Sequence, residues 1–305
     1  MDKKITRREA LRRMGLGSAT LALASVGMGS VTTSCSTVKV PTKKSGGSRL
    51  VFFFTGTGNC LHVARQFTDT PLSIPQEMKK DNLVYEADEI GIVYPIYSHM
   101  PPKIVQEFLE KATLKAKYLW AIATYGNRSL NAAELFDEIA RKQGLQFNYI
   151  TSLLMVDNFL PVFDMNDEMR KEKKEDRGIE YIRRDVDERR NWIEPATEEQ
   201  RQMHWGNRER VIPSASERRS MDSSRAFKIT DACIQCEACI QVCPRANISL
   251  KDNVITWSGE CEMCFACVQN CPQKAIKLAM QERNPDARYR NKHVTLGDIQ
   301  AANRQ

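Results

Sequence analysis

Short continuous runs of apolar residues alternate with helix-patterned segments between residues 50 and 156. The apolar runs lie at residues 50–54, 90–94, 118–123 and 149–156, and helical patterns separate them at residues 61–67, 103–112 and 132–143. A short run without a polar face is typical of a strand that is buried on both faces. Strands that alternate with helices form a parallel sheet, so the pattern predicts an α/β domain. The charged pattern of residues 165–192 predicts its last helix.

An internal repeat with an offset of 28 residues occupies the C-terminal region. Residues 231–250 match residues 259–278, with four cysteines and one proline at equivalent positions in each half. Each half is a single supersecondary unit that is too small to fold by itself. The repeat therefore predicts one small pseudo-symmetric domain made of two copies.

Eight of the ten cysteines lie inside this repeat, which indicates a metal module and not a disulfide framework. Both copies read C-x2-C-x2-C-x3-C-P, the spacing of bacterial two-cluster ferredoxins, in which the fourth cysteine ligates the other cluster. Zinc is the alternative, but zinc sites need neither the third cysteine nor the repeated Cys-Pro. The sequence predicts two [4Fe–4S] clusters, one ligated by Cys233, Cys236, Cys239 and Cys271, and the other by Cys243, Cys261, Cys264 and Cys267.

A glycine-rich loop connects the first predicted strand to the first predicted helix. Glycines let the backbone approach a phosphate, hydroxyls donate to it, and the start of the helix supplies free amides. The loop has no lysine after it, which argues against a nucleoside triphosphate, and it resembles the phosphate-binding loop of flavodoxins, which hold FMN. The cysteine at its end replaces the usual Ser or Thr. The predicted FMN phosphate site consists of Thr55, Gly56, Thr57, Gly58, Asn59 and Cys60.

Two more loops follow strand ends at the same edge of the predicted sheet, where ligands of open α/β sheets bind. Tyr97 and Tyr125 are candidates to flank a flavin ring, because flat aromatic faces stack on it; the alternative is that each tyrosine packs only its own loop. His99 is either a flavin contact or a solvent-facing side chain. With the neighbouring loop residues, the predicted ring contacts are Tyr97, Ser98, Tyr125, Gly126 and Asn127.

Residues 49–300 together resemble the EFR1-type family of flavodoxin–ferredoxin fusions. The resemblance rests on the TGTGN loop, a Y-P-x-Y loop followed by P-P-K-I-V, and the double cysteine motif. It implies a flavodoxin-like parallel sheet of order 2-1-3-4-5, followed by a small α+β two-cluster ferredoxin domain. It also implies electron transfer, and it names no partner.

The formal charge of +7 does not indicate nucleic acid binding. Residues 1–13 hold six basic and two acidic residues, so the remainder carries only +3, and two oxidised clusters would bring it to about −1. The composition, 42% apolar and 27% charged, is that of a globular protein. Residues 164–225 mix both signs of charge, which favours a solvated helix and connector over a partner-docking arm.

The N-terminus resembles a twin-arginine export signal, with Arg7 and Arg8 before a mildly apolar run. Ala10 departs from the large apolar residue that is usual there; a membrane anchor or an ordinary amphipathic N-terminus are the alternatives. Cys35 lies where a bacterial lipoprotein is cut and acylated, although Thr32 departs from the lipobox pattern, and a free thiol in a linker is the alternative. We expect export across a bacterial cytoplasmic membrane, with a possible lipid tether to the membrane surface; the alternative is a cytoplasmic protein.

The predicted domain organisation has six parts. They are the signal (1–35), a linker (36–48), the flavodoxin-like domain (49–192), a charged connector (193–225), the two-cluster domain (226–280) and a C-terminal tail (281–305).

Three functions remain open at this point. The first is an electron carrier that relays electrons through FMN and the clusters between unidentified redox partner proteins. The second is a flavin-dependent reductase with its own small substrate, fed by the clusters. The third is a cluster protein whose flavodoxin-like domain holds no FMN. No nucleophile and base occur in a recognisable spacing, so hydrolysis and group transfer are not predicted.

Overall fold

The computed structural model describes residues 47–211, 225–259 and 261–305. The predicted signal, its Arg7–Arg8 pair and Cys35 lie outside the described residues, as does most of the predicted linker. No helix within the described residues is long and apolar enough to cross a membrane.

A six-stranded parallel sheet forms the centre of the N-terminal domain. Its strand order is β2-β1-β3-β4-β5-β6, which contains the predicted order 2-1-3-4-5 of the flavodoxin-like class. Successive side chains of a strand point to opposite faces, and Trp120 and Ala121 are both fully buried, so the sheet is covered on both faces. The strands are β1 (Arg49–Phe53), β2 (Leu72–Ser73), β3 (Val84–Pro95), β4 (Thr113–Tyr125), β5 (Tyr149–Leu154) and β6 (Trp192–Ile193).

The three helices predicted between residues 61 and 143 are present, with shifted ends. A helix of four residues, α2, follows the short second strand, and neither element gave a clear pattern in the sequence. The helices are α1 (Asn59–Ala64), α2 (Ile74–Glu77), α3 (Lys103–Lys111), α4 (Ala132–Lys142), α5 (Met165–Arg170), α6 (Glu175–Asp187) and α7 (Glu198–Val211).

The prediction of one helix over residues 165–192 is wrong. The backbone is extended at Lys171, and Lys174 has a left-handed conformation with φ 52°, so α5 ends and α6 begins separately. Arg189, with φ 50°, ends the second helix. Trp192 then pairs with Tyr149 as the sixth strand of the sheet. The connector predicted to begin at residue 193 therefore starts inside the sheet and continues as α7.

The cysteine-rich domain (residues 226–280) keeps the repeat in its backbone. Helices α8 (Ala238–Gln241) and α9 (Ala266–Gln269) occupy equivalent positions, 28 residues apart. Left-handed residues recur at the same offset, at Gln235 and Met263 and at Glu237 and Phe265. Strands β7 (Phe227–Ile229) and β10 (Ile276–Leu278) pair antiparallel, as do β8 (Ile248–Lys251) and β9 (Val254–Trp257).

The tail (residues 281–305) folds back onto the N-terminal domain. It ends in helix α10 (Leu296–Asn303), which begins with a capping box between Thr295 and Asp298. Asp298 also forms an ion pair with Arg65, just after α1, at 2.5 Å. The tail thereby joins the cysteine-rich domain to the N-terminal domain near the carboxyl ends of the sheet strands.

Candidate redox sites

The first predicted cluster site is a cavity in the cysteine-rich domain. Burial raises the pKa of the Cys239 thiol to about 12, and the neighbouring Cys271 and Cys236 thiols contribute. A metal bound there replaces these protons, so such crowded thiols fit a cluster. The lining includes Ile229, Ile255 and Ile276. It also contains all four predicted ligands, Cys233, Cys236, Cys239 and Cys271.

The second predicted set is also brought together. Burial raises the pKa of the Cys267 thiol well above its ordinary value, and the thiols that raise it further are those of Cys261, Cys264, Cys243 and Cys239. Cys243 belongs to the first repeat, so the chain crosses over as the spacing predicts. Because Cys239 belongs to the first set, the two sites are neighbours.

Backbone amides are directed at cysteine sulfurs in both sites. The amide of Met263 donates to Cys261 Sγ and the amide of Ala275 donates to Cys271 Sγ, both at 3.3 Å. Such bonds tune the potential of a cluster, together with its solvent exposure. Cys236 is exposed, whereas Cys264 and Cys267 are buried. The first site is therefore the more accessible of the two.

The predicted phosphate loop joins β1 to α1, and its residues 55–60 are all buried. Gly58 has φ 102°, a left-handed conformation that glycine adopts without strain, and its amide donates to Thr55 Oγ1 at 2.9 Å. A Cβ atom on Gly56 would lie 2.6 Å from the main-chain oxygen of Cys264. Only glycine permits this approach, so the loop contacts the second cluster site directly.

Three asparagines of the cysteine-rich domain and the tail donate to consecutive carbonyl oxygens of the loop. A trans peptide points its carbonyl and its amide in opposite directions, and the described residues contain no cis peptide. The amides of Gly56 and Thr57 therefore point away from these asparagines. The pairs are Asn303 with Thr55 (2.9 Å), Asn270 with Gly56 (3.2 Å) and Asn291 with Thr57 (2.8 Å).

The amide side of the loop fits a phosphate. Within the described residues, the amides of Gly56, Thr57 and Asn59 have no hydrogen-bond acceptor, although the loop is buried. Buried amides without a partner are costly, and convergent loop amides are the donors that a phosphate uses. These residues would hold the phosphate of FMN.

The side chains of the loop already have protein partners. Asn158 donates to Thr57 Oγ1 at 2.6 Å, and Cys60 Sγ lies 3.2 Å from Thr124 Oγ1. Burial raises the pKa of Cys60 to about 12, so the thiol stays protonated at neutral pH. Cys60, which stands in place of the usual hydroxyl residue, is thus an uncharged part of the core beneath the loop.

The residues predicted to contact the flavin ring do not share one environment. Tyr97 is half-buried, and burial of its phenol, followed by the nearby Cys264 and Cys60, raises its pKa well above its ordinary value. Its hydroxyl would lie 3.2 Å from a Cβ on Gly56, so it reaches the contact between the loop and the second cluster site. Ser98 and Asn127 are exposed, and Tyr125 is half-buried.

Gly126, in the same group, packs against Asp157 after β5. Its carbonyl oxygen accepts a hydrogen bond from Lys173 at 3.1 Å. His99, for which a flavin contact and a solvent-facing position were both open, is half-buried beside His204 of α7, with ring centroids 5.7 Å apart.

Sequence reasoning missed the residues that join the two domains. Glu262, between two cysteines of the second site, accepts from the amide of Ile104 in α3 at 3.0 Å and from Arg245 Nε at 2.7 Å. Arg245 also pairs with Glu107 at 2.7 Å. The repeat contains a clue to these residues, because Glu262 and Asn270 in the second copy stand where the first copy has Ile234 and Val242. Polar residues that break the symmetry of the repeat mark the docked face.

Comparison with known proteins identifies the cysteine-rich domain. Residues 225–284 match a family described as a 4Fe-4S dicluster domain. No curated protein matches the chain. Similar solved structures include a flavoprotein in complex with FMN from Lactobacillus acidophilus, 17% identical, covering 34% of this chain and 91% of that chain, with a TM-score of 0.27. Putative flavoproteins from Bacteroides uniformis and Bacteroides eggerthii are 19% and 20% identical, each covering 36% of this chain and 91% of theirs, with TM-scores of 0.28 and 0.27.

The chain thus carries an iron–sulfur dicluster domain after a flavodoxin-like parallel sheet, and the strand order carries the fold assignment.

Proposed function

We propose that this chain is an electron-transfer protein that carries FMN and two [4Fe–4S] clusters. The observation that supports this most strongly is the contact between Gly56 of the phosphate loop and Cys264 of the second cluster site. A ferredoxin domain that was joined to the sheet only by a linker would not need to place its cysteine loop against the phosphate loop.

Each face of the loop has a different role. The carbonyl face binds the cysteine-rich domain and the tail, and the amide face holds the phosphate of FMN through Gly56, Thr57 and Asn59. When bound, FMN supplies an exchange between two-electron and one-electron chemistry. The chain's own contribution is to hold this site and the second cluster site in fixed contact.

The partly buried ion pairs of Arg245 support this fixed arrangement. Arg245 contacts Glu262 in the cluster loop and Glu107 in α3, so it links the two domains. Linking two redox sites in one chain raises their effective concentration for each other. The second site then exchanges electrons within the chain, and the more exposed first site exchanges them with an external redox partner.

One set of observations favours the alternative without FMN. Asn158 and Thr124 already contact the side chains of Thr57 and Cys60. The hydroxyl of Tyr97, which was predicted to flank a flavin, lies beside Gly56, next to the second cluster site. In that case the flavodoxin-like domain serves as a docking platform for a two-cluster electron carrier.

Anaerobic purification, with iron, sulfide and flavin counted per chain, tests the proposal. We expect about eight iron, about eight acid-labile sulfide and about one FMN. The same iron and sulfide without flavin would establish the docking-platform alternative. Zinc without acid-labile sulfide would contradict both.

The twin-arginine-like signal leads us to propose that the folded, cluster-loaded protein is exported. Replacing Arg7 and Arg8 with Lys should retain the protein inside the cell, as measured by fractionation, and unchanged export would contradict this proposal. A Cys35→Ser variant should lose membrane association if Cys35 is acylated. Equal association of both forms would mean that no lipid is attached.

A further inference from the structure

Two imidazoles and a carboxylate converge beside the phosphate loop, outside both cluster sites. His62 lies on α1, Glu175 is the first residue of α6, and His293 lies in the tail. One ligand atom from each lies within 4.8 Å of the other two. Three segments that are distant in sequence therefore deliver metal-binding groups to one point.

His62 is the buried member of this group of three residues. Its side chain is largely enclosed, the residue being only 6% exposed, and its Nε2 atom has no hydrogen-bond partner. A buried ring nitrogen without a partner is costly. Burial also lowers the pKa of His62, which favours the neutral imidazole that binds metals. The His293 ring stacks on it, with centroids 4.3 Å apart and planes 15° from parallel.

We propose that His62, Glu175 and His293 bind a zinc ion. Two imidazole nitrogens and one carboxylate oxygen, with a water at the fourth position, form a ligand set that Zn²⁺ accepts. Ligand distances of about 2.0–2.1 Å place neighbouring donor atoms about 3.3 Å apart, and each imidazole binds a metal in its own ring plane. The His293 ring must therefore turn out of its stack on His62 to bind the same ion. His293 is exposed and can make this movement.

The charges around these three residues permit a divalent cation. Glu175 and Asp176 supply two acidic groups from α6, and Lys292 supplies one basic group from the tail. Arg65 also faces His62, but it forms an ion pair with Asp298. The surroundings therefore carry a net negative charge before the ion binds.

The zinc ion would fasten the tail to the phosphate loop. The amide of His62 donates to the carbonyl oxygen of Gly58 at 2.9 Å. Asn291, two residues before His293, donates to the carbonyl oxygen of Thr57 at 2.8 Å. An ion that joins His62 to His293 thus holds both sides of this contact, and it stabilises the folded chain because the unfolded chain lacks the site.

Zinc binding to the anaerobically purified, cluster-loaded protein tests this site. The protein is dialysed against buffered Zn²⁺, and zinc and acid-labile sulfide are counted on the same sample, so that zinc taken up by cluster cysteines is recognised as lost sulfide. We expect about one zinc per chain with the full sulfide content. The His293→Ala and Glu175→Gln variants should bind it at least about tenfold more weakly.

Lys292→Ala is the matched control, because it alters the neighbouring tail residue and leaves all three ligands. Because it also removes the basic group that faces the site, it should bind zinc at least as tightly as the unaltered protein. Zinc should also raise the unfolding midpoint of the unaltered protein and of Lys292→Ala, and leave that of His293→Ala unchanged. Absence of zinc binding, or equal binding by the His293→Ala variant, would overturn the proposal.

Discussion

Gly56 is the residue at which the phosphate loop and the second cluster site come closest. A methyl group there would lie 2.6 Å from the main-chain oxygen of Cys264, and backbone cannot swing aside as a flexible side chain does. We expect Gly56→Ala to push the two domains apart and to lower the free energy of unfolding by about 1–3 kcal/mol. Chemical denaturation under anaerobic conditions measures this loss.

Gly297→Ala is a suitable control for this substitution. Among the described residues, a Cβ there meets only Thr295 Oγ1, at 3.7 Å, and alanine favours the helix α10 in which Gly297 lies. This variant should be as stable as the unaltered protein or slightly more stable. If Gly56→Ala is equally well tolerated, the close contact that the proposed function uses does not exist.

At the scale of elements, the two repeats should be separable by mutation. Cys236 is exposed in the first site, whereas Cys264 is buried against the phosphate loop. We expect Cys236→Ser to lose about four iron and to keep the second cluster in contact with the loop. Cys264→Ser should lose the other cluster and destabilise the contact between the domains, because ligand binding is coupled to folding.

Iron counts, electron paramagnetic resonance of the reduced clusters and unfolding midpoints distinguish the two variants. Equal effects on the unfolding midpoint would mean that the second site has no special role in joining the domains.

The cap of α10 makes the docking of the tail sensitive to acid. The hydrogen bonds from Arg65 and then from Thr295 hold the pKa of Asp298 well below its usual value of 3.8. A carboxylate with a lowered pKa stabilises the folded state above the pKa of the unfolded chain, and this contribution is lost as the pH falls below it.

The unfolding free energies of the unaltered protein and of Asp298→Asn should therefore differ by a constant amount at neutral pH. The difference should shrink as the pH falls below about 3.8. A difference that stays constant as the pH falls well below 3.8 would show that the carboxylate of Asp298 does not stabilise the tail.

The sequence predicted the elements that have strong local patterns. Buried apolar runs predicted β1, β3, β4 and β5, and the cysteine spacing predicted which thiols come together across the repeat. It missed β2, because two residues give no periodicity, and it predicted one helix where Lys174 and Arg189 take left-handed conformations. Those conformations depend on tertiary contacts that a charge pattern does not encode.

The sequence predicted the phosphate-binding residues of the loop, but not the residues that bind its carbonyl oxygens. The glycines and hydroxyls of the phosphate loop were visible in the sequence. Its carbonyl face was not, because Asn291 and Asn303 resemble ordinary polar tail residues until the tail folds back. The predicted role of Tyr97 beside a flavin ring rested on an open loop, whereas the docked domain lies against the hydroxyl end of this half-buried side chain.

At the scale of the whole molecule, the proposed function requires one redox unit and not two carriers on a tether. The loop contact at Gly56, the ion pairs of Arg245 and the returning tail all hold the dicluster domain against the C-terminal edge of the sheet. Redox sites held in this way exchange electrons at a rate set by the structure, whereas tethered but separate carriers compete with encounters between molecules.

The most direct test is the rate of flavin reduction after rapid reduction of the clusters by a low-potential donor. Stopped-flow absorbance of the FMN-loaded protein is followed over a tenfold range of protein concentration. We expect a first-order flavin bleaching whose rate constant is independent of protein concentration and falls in Gly56→Ala but not in Gly297→Ala. A rate that rises in proportion to protein concentration would contradict it, because electrons would then pass between molecules.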